Sequence, residues 1–135
     1  MYLVDTNVWL ELLLNQDRAE DVIRLLRRRP LEELFITDFG FHSIAVMLGR
    51  LKKTDDLQRF VSDMFVDGAL RLVRLDPVDT SEILEVMGRF GLDFDDAYQY
   101  VAAERFNLTL VSFDRDFDRT ERGRKTPAEV YPSAS

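Results

Sequence analysis

Acidic residues follow apolar runs near both ends of this sequence. Asp5 comes directly after Tyr2-Leu3-Val4, and Asp114 comes shortly after the apolar segment 108–111. If both runs are strands of one parallel sheet, both carboxylates lie at its carboxyl edge, where open α/β folds place their sites. Carboxylates that converge repel one another unless a divalent cation neutralises them, and such hard oxygen ligands suit Mg²⁺ or Mn²⁺. The residue types and their positions therefore predict a metal site.

Two further acids, Asp96 and Asp116, lie in the same part of the sequence as Asp114. In a helix predicted over residues 93–106, Asp96 falls beside the buried stripe, where an ionised carboxylate is costly unless a cation or hydrogen bonds compensate. Each acid also has a simpler interpretation: Asp5 and Asp114 as helix caps or turn residues, and Asp116 as a surface residue. The coincidence of two strand-end acids at one predicted edge favours the functional interpretation.

Hydrophobic spacing predicts the strands and helices that would position these acids. The predicted strands are residues 2–4, 34–36, 70–75 and 108–111, and the predicted helices are residues 6–14, 17–29, 37 or 38 to about 53, 54–66, 77–91 and 93–106. The residues after Thr120 are predicted to form a loop, with at most a short edge strand around Val130. Strands separated by helices predict one α/β domain over residues 1–135, a three-layer α/β/α sandwich with a central, mainly parallel sheet.

The composition is that of a globular protein, with 46% hydrophobic and 32% charged residues among 135. The lack of cysteine excludes disulfides and thiolate zinc sites, and the single histidine, His42, excludes His-rich metal sites. No apolar stretch approaches the roughly 20 residues of a membrane span, and no signal-peptide pattern opens the chain, so a cytoplasmic protein is expected.

The net charge of −7 argues against strong non-specific binding of nucleic acid by the whole surface. It does not argue against a nuclease, because a site built from several carboxylates accounts for much of that charge and a bound metal offsets it. Basic residues cluster in segments 24–29, 52–53 and 119–125, and each cluster is interpreted as a solvated helix face or loop.

Three segments together resemble a PIN domain: Leu-Val-Asp-Thr-Asn at 3–7, Leu-Asp-Phe-Asp-Asp-Ala at 92–97, and Leu-Thr-Leu-Val-Ser-Phe-Asp-Arg-Asp-Phe at 108–117. The likeness covers nearly the whole chain and is greatest to the small stand-alone PIN proteins of the VapC toxin type. It implies an α/β/α sandwich, dependence on Mg²⁺ or Mn²⁺, and hydrolysis of RNA. It further implies an antitoxin protein as a partner and a homodimer formed through the early helices.

The resemblance also assigns roles to individual positions. The residues that match metal-binding acids are Asp5, Asp96 and Asp114, and Asp116 matches the further acid of the closing motif. Polar residues that match the supporting positions of the site are Thr6, Asn7 and Ser112.

One position departs from the family pattern. The family usually has a glutamate in the first turns of the helix after the second strand, and Ser43 falls at about that position. Because a serine cannot replace the charge of a carboxylate, the acidic set is incomplete. His42 could instead bind metal or phosphate, although a lone helical histidine is more often a packed or surface residue. Asp38 is interpreted as an N-cap.

Three functions are consistent with these observations. The first is a metal-dependent endoribonuclease, and the second is a PIN-fold binding module with little or no hydrolytic activity, because Ser43 replaces the expected glutamate. The third is a phosphatase of the haloacid dehalogenase class, since Asp5 after a strand resembles the nucleophile of that class. That class normally has a second acid two residues on, where this chain has Asn7.

Overall fold

The computed structural model of the chain describes residues 1–130. Within them, parallel strands form one sheet in the order β3-β2-β1-β4. The strands are β1 (Tyr2–Val4), β2 (Leu34–Thr37), β3 (Arg71–Val73) and β4 (Thr109–Val111). In the register, Leu3 is paired with Phe35 on one side and Leu110 on the other. The predicted parallel sheet is confirmed, and the carboxyl ends of all these strands meet at one edge.

Helices connect the strands. They are α1 (Thr6–Leu13), α2 (Ala19–Arg28), α3 (Asp38–Arg50), α4 (Thr54–Val61), α5 (Thr80–Phe90), α6 (Phe94–Arg105) and α7 (Pro127–Val130). The helix predicted over 54–66 is shorter than expected, because a π-type turn, Ser62–Val66, follows α4. Pro77 begins a 3₁₀ turn before α5, and α5 ends at Gly91, whose positive φ of 68° suits glycine.

The prediction of an edge strand around Val130 was wrong. Val130 lies in α7, which packs against α2, and its carbonyl accepts two hydrogen bonds from the Arg29 guanidinium. Thr126 and Glu129 stabilise the start of α7, since the Glu129 carboxylate accepts hydrogen bonds from the Thr126 backbone N–H and hydroxyl. Only Lys125 pairs with the sheet, as an isolated parallel bridge to Val111.

The sheet separates two hydrophobic cores. Leu3 and Leu110 point into the core shared with α5 and α6, whereas Val4 and Val111 point into the core shared with α1 to α4. This alternation follows from the two-residue period of a strand. Together with the parallel sheet it confirms the predicted three-layer α/β/α arrangement.

Trp9, on α1, is fully buried and contacts Phe60 edge-on, with 5.3 Å between ring centroids. Trp9 therefore belongs to the hydrophobic core. None of the helices in residues 1–130 has the length and apolar character needed to cross a membrane.

Candidate metal centre

Asp5 is the innermost acid of the carboxyl edge. It directly follows β1 and is the N-cap of α1, and its side chain is 5% exposed. Its Oδ1 accepts hydrogen bonds from the Thr6 backbone N–H at 2.8 Å and from Gln99 Nε2 at 3.0 Å, and its Oδ2 accepts one from Ser112 Oγ at 2.7 Å. The capping role and the site role, which are alternatives at the level of sequence, coexist in this one side chain.

The Ser112 hydroxyl connects three elements of the site. Its oxygen accepts hydrogen bonds from Asn7 Nδ2 at 3.3 Å and from the Asp114 backbone N–H at 2.9 Å. A hydroxyl has two acceptor lone pairs and one proton, so the proton of Ser112 is directed to Asp5. Asn7 additionally accepts the Phe113 backbone N–H at 3.3 Å, which joins the start of α1 to the segment after β4.

Two opposing effects act on the pKa of Asp5. Burial raises it and is the largest influence, while the hydrogen bonds from Ser112, Thr6 and Gln99 lower it and the charge of Asp114 raises it again. Burial prevails, so the pKa of Asp5 is raised above its ordinary value, although the three donors favour the ionised carboxylate.

Three other acids converge outside Asp5. One carboxylate oxygen from each of Asp96, Asp114 and Asp116 lies within 4.8 Å of the other two. Asp96 is in the first turn of α6, which Asp93 caps by accepting the Asp96 N–H at 3.0 Å, as predicted. Asp114 caps the 3₁₀ turn Arg115–Arg119 and accepts the Asp116 N–H at 2.8 Å. Asp5 does not belong to this group of three.

The electrostatics of this group favour a cation. Burial is the largest influence on the pKa of Asp96; with the negative charges of Asp114, Asp93 and Asp5, it raises that pKa to about 8. At neutral pH a proton therefore partly neutralises the cluster. A divalent cation would supply more positive charge to the same oxygens, and carboxylates are the ligands that Mg²⁺ and Mn²⁺ prefer. The donor set thus fits such an ion.

A cleft of about 280 Å³ opens beside these acids. Its lining comes from the start of α1, from α3 and from α6, and includes Asp5, Thr6, Asn7, Ser43, Asp96 and Gln99. Ser43 therefore lies beside the acids, where the family pattern expects a glutamate. Its side chain makes no hydrogen bond within the described residues 1–130, and α3 supplies no carboxylate to the lining of this cleft, which also includes Asp95 of α6.

His42 and Asp38 do not lie in this cleft. His42 is exposed on α3 and lines a neighbouring groove with Phe39, Val46 and Arg50. The interpretation of Asp38 as an N-cap was wrong, because Thr37 caps α3 by accepting the Gly40 N–H at 2.8 Å. Asp38 instead accepts a hydrogen bond from the Tyr98 hydroxyl at 2.7 Å.

Gln99 is a site residue that the sequence reasoning missed. Its amide contacts Asp5 on one side and accepts the Thr37 hydroxyl at 2.9 Å on the other. The available signal was a polar residue three positions after Asp96 in a helix whose neighbouring residues are otherwise small or aromatic.

The basic cluster after Asp116 binds groups of the protein itself. Arg119 forms an ion pair with Asp116 at 3.1 Å and donates to the carbonyls of Phe90 and Gly91. Arg124 forms an ion pair with Asp118 at 3.1 Å and donates to the Ser112 carbonyl. These side chains hold the segment after β4 in place, so the interpretation of this cluster as simply solvated was incomplete.

Comparison with solved structures shows that this fold is shared with toxin proteins. A toxin–antitoxin complex from Klebsiella pneumoniae has a TM-score of 0.73 at 17% identity, covering 94% of this chain and 98% of that chain. VapC20 of Mycobacterium tuberculosis, a sarcin-ricin loop cleaving toxin, has a TM-score of 0.74 at 17% identity, with 87% and 93% covered. FitAcB from Neisseria gonorrhoeae has a TM-score of 0.72 at 23% identity, with 94% and 98% covered.

No curated protein matches the sequence. The PIN domain family, in contrast, matches residues 2–123, a range that includes all four acids of the site and the strands and helices that carry them. The protein therefore belongs to the PIN domain family.

Proposed function

We propose that this protein is a metal-dependent endoribonuclease that acts as the toxin of a toxin–antitoxin pair. The observation that carries the proposal is the convergence of Asp96, Asp114 and Asp116 within 4.8 Å, with the buried Asp5 and Asp96 lining one cleft. A cluster of this kind is electrostatically unfavourable without a cation, and the cleft beside it is open to a substrate.

In this proposal, Mg²⁺ or Mn²⁺ is held by Asp5, Asp96 and Asp114, with Asp116 as a further acid. Such an ion lowers the pKa of a bound water and offsets charge on the phosphoryl and leaving oxygens. Ser112 and Asn7 fix the direction of the Asp5 carboxylate and of the Asp114 backbone, and Thr6 binds Asp5 through its N–H. These contacts hold the acids in place before substrate arrives.

Phosphatase chemistry at Asp5 is less well supported. Asn7 stands where that class has its second acid, and its amide is already hydrogen-bonded to Ser112 Oγ and to the Phe113 N–H. Membership in the PIN domain family also argues against phosphatase chemistry at Asp5.

The rim of the site offers one stacked cation for an RNA backbone. The exposed Arg18 guanidinium lies over the Phe113 ring at 3.8 Å from its centroid, and Phe113 stands between Ser112 and Asp114. Phosphate contacts from arginine are typical of nucleic-acid binding. The solved neighbour VapC20, which cleaves the sarcin-ricin loop, also supports RNA as the substrate class.

The test is cleavage of labelled single-stranded RNA with Mn²⁺, Mg²⁺ or EDTA. We expect the wild-type protein to cut only with metal and Asp96→Asn to be inactive. Asp55→Asn is the matched control, because it removes the same charge from an exposed position at the start of α4. Cleavage by Asp96→Asn at the wild-type rate would rule out the assignment.

An antitoxin partner and a homodimer belong to the same proposal. One of the structural neighbours is a toxin–antitoxin complex. The exposed apolar side chains of Val46, Met47 and Leu51 at the end of α3 supply surface for a protein contact. Light scattering of the purified chain at micromolar concentration tests the dimer, and a monomer mass would contradict it.

A binding module without hydrolytic activity is the second candidate, and Ser43 is the observation that favours it. The cleft lacks the carboxylate that the family usually supplies from this helix. Failure of the wild-type protein to cut with either metal, combined with cutting by Ser43→Glu, would establish this alternative.

A further inference from the structure

The buried amide of Gln99 links α6 to the other elements of the site. Gln99 is only 2% exposed, and burying an amide without hydrogen-bond partners is unfavourable. Both ends of this amide are satisfied: Nε2 donates to Asp5 Oδ1 at 3.0 Å, and Oε1 accepts from Thr37 Oγ1 at 2.9 Å. One continuous chain of hydrogen bonds therefore joins Thr37 at the end of β2, Gln99 in α6 and Asp5 directly after β1.

The direction of this chain is fixed by the backbone of α3. Thr37 Oγ1 accepts the Gly40 N–H at 2.8 Å, so its single proton is free to be donated to Gln99 Oε1. The oxygen of the amide therefore faces Thr37 and its NH₂ faces Asp5. A donor in that position stabilises the ionised form of the Asp5 carboxylate.

Gly40 allows the first turn of α3 to approach this chain closely. A Cβ at this position would lie 3.1 Å from the hydroxyl oxygens of both Thr37 and Thr6, and 3.4 Å from Gln99 Nε2. The two distances to the threonine hydroxyls are tighter than ordinary van der Waals contact, so a side chain at position 40 would push against Thr37 and disturb its hydrogen bond to Gln99.

The hydrogen bonds limit what Asp5 can offer to an ion. A carboxylate has about four acceptor sites, and here two on Oδ1 and one on Oδ2 are in use. One site on Oδ2 is left. Because Gln99 occupies the second site of Oδ1, it determines which oxygen of Asp5 is available.

We infer that Gln99, oriented by Thr37, is a positioning residue that presents Oδ2 of Asp5 to a divalent cation. The inference rests on the proposed function, since it needs a metal in the site. It adds a residue from the middle of α6 to the metal centre, in a site where Ser43 contributes no carboxylate. Because one carboxylate ligand is missing, the orientation of each of the other acids matters more for binding the cation.

The experiment is titration of Mn²⁺ by isothermal calorimetry into the wild-type chain, Gln99→Leu and Thr37→Val. Leucine has nearly the volume of glutamine but cannot donate to Asp5. Loss of a group that supports a metal ligand typically weakens metal binding by about 10- to 100-fold, and we expect that loss for Gln99→Leu. Thr37→Val removes the orienting hydroxyl and should weaken binding less, whereas Thr37→Ser keeps the hydroxyl and should restore it.

The matched control is Tyr98→Phe on the same helix. The Tyr98 hydroxyl accepts the Leu75 N–H and donates to Asp38, so its removal breaks buried hydrogen bonds without touching Asp5. This variant should lose thermal stability and keep its Mn²⁺ affinity. In RNA cleavage, Gln99→Leu should need more Mn²⁺ and recover at saturating metal, whereas a structural defect would lower cleavage at every concentration.

Unchanged Mn²⁺ affinity in folded Gln99→Leu would overturn this inference alone. If Gln99→Leu does not fold, unchanged affinity in Thr37→Val has the same consequence. A wild-type chain that binds no Mn²⁺ would overturn the proposed function, and this inference with it.

Discussion

Asp5 and the outer group of Asp96, Asp114 and Asp116 share one sheet edge but are stabilised in different ways. Asp5 is almost completely buried, and three donors hold its carboxylate in one orientation. The outer acids are partly exposed and lie close to one another, and burial together with neighbouring charges raises the pKa of Asp96 to about 8. Hydrogen bonds therefore offset part of the cost of burying Asp5, whereas a cation would relieve the repulsion within the outer group.

The two regions would therefore contribute different properties to a metal site: one a carboxylate of fixed orientation, the other an affinity for a cation. The inner carboxylate has a fixed orientation, because its hydrogen-bond partners come from α1, α6 and the segment after β4. The outer group supplies the affinity for a cation, because bringing its negative charges together has a cost that the ion removes. Substitutions in the two regions should consequently have opposite effects on the metal-free protein.

The largest effect is expected from the outer group. Asp114→Asn keeps the oxygen that accepts the Asp116 N–H but removes the negative charge. We expect RNA cleavage to fall by more than about 100-fold, the upper end of the loss seen when only a supporting contact is removed. Initial rates at saturating Mn²⁺ measure this, beside Asp55→Asn as the charge-matched control. A reduction of less than tenfold would show that Asp114 is not a ligand.

The second prediction compares the stability of Asp5→Asn and Asp96→Asn in EDTA. In Asp5→Asn the new NH₂ group faces Ser112 Oγ, whose lone pairs are already used by Asn7 and Asp114. We expect a loss of about 1–3 kcal/mol in the free energy of unfolding, the usual cost of an unsatisfied buried group. Asp96→Asn should instead be stabilised above pH 8. Urea denaturation of both variants at pH 8.5 measures the difference, and equal changes would remove the proposed contrast.

The third prediction concerns pH. Because the folded-state pKa of Asp96 is raised to about 8 from an ordinary value of 3.8, the folded protein holds a proton that the unfolded chain releases. This contribution to stability is present below pH 4 and is lost as pH rises toward 8. Thermal melting in EDTA should show the decline, and Asp96→Asn should flatten it.

Metal binding should show the converse dependence on pH. Mn²⁺ has to displace the Asp96 proton below pH 8, so its affinity should rise between pH 6 and pH 8 with release of up to about one proton. Calorimetric titration in buffers of different ionisation enthalpy counts that proton. Binding without proton release at pH 6.5 would contradict the raised pKa.

The smallest effect is expected at Ser43, which borders the cleft. Ser43→Glu adds a carboxylate beside the outer group, so Mn²⁺ affinity should increase severalfold, since charge count tunes the affinity of oxygen-ligand sites. Ser43→Gln is the matched control, because it has the same length without the charge. An equal gain in both variants would show that side-chain size, and not charge, is responsible.

The positions of the acids that follow strands were predictable, because the order of strands and helices along the chain determines them. A strand that ends in an acid, such as β1 before Asp5, places that acid at the sheet edge whatever the rest of the chain does. Gln99 was not predictable in the same way, because its contact with Asp5 joins residues 94 positions apart. Helical spacing places Gln99 on a helix face but does not show what that face meets.

The C-terminal segment shows a different kind of error. The sequence after Thr120 is charged and then contains proline and serine, which favoured a loop with at most a short edge strand around Val130. Thr126-Pro127-Ala128-Glu129 is, however, also a helix-start pattern, with proline at a permitted first position and glutamate three residues after threonine. The structure follows this local pattern, because Val130 can then be buried against α2.

The position of β1 at the centre of the sheet has a consequence for the timing of biosynthesis. β1 is translated first, yet its partner β4 is among the last elements translated, and Asp5 meets Ser112 across 107 residues. Pairing of such distant segments cannot begin until both have left the ribosome. A nascent chain therefore lacks the complete candidate site, and any activity that depends on this site begins only after nearly the whole protein has been made.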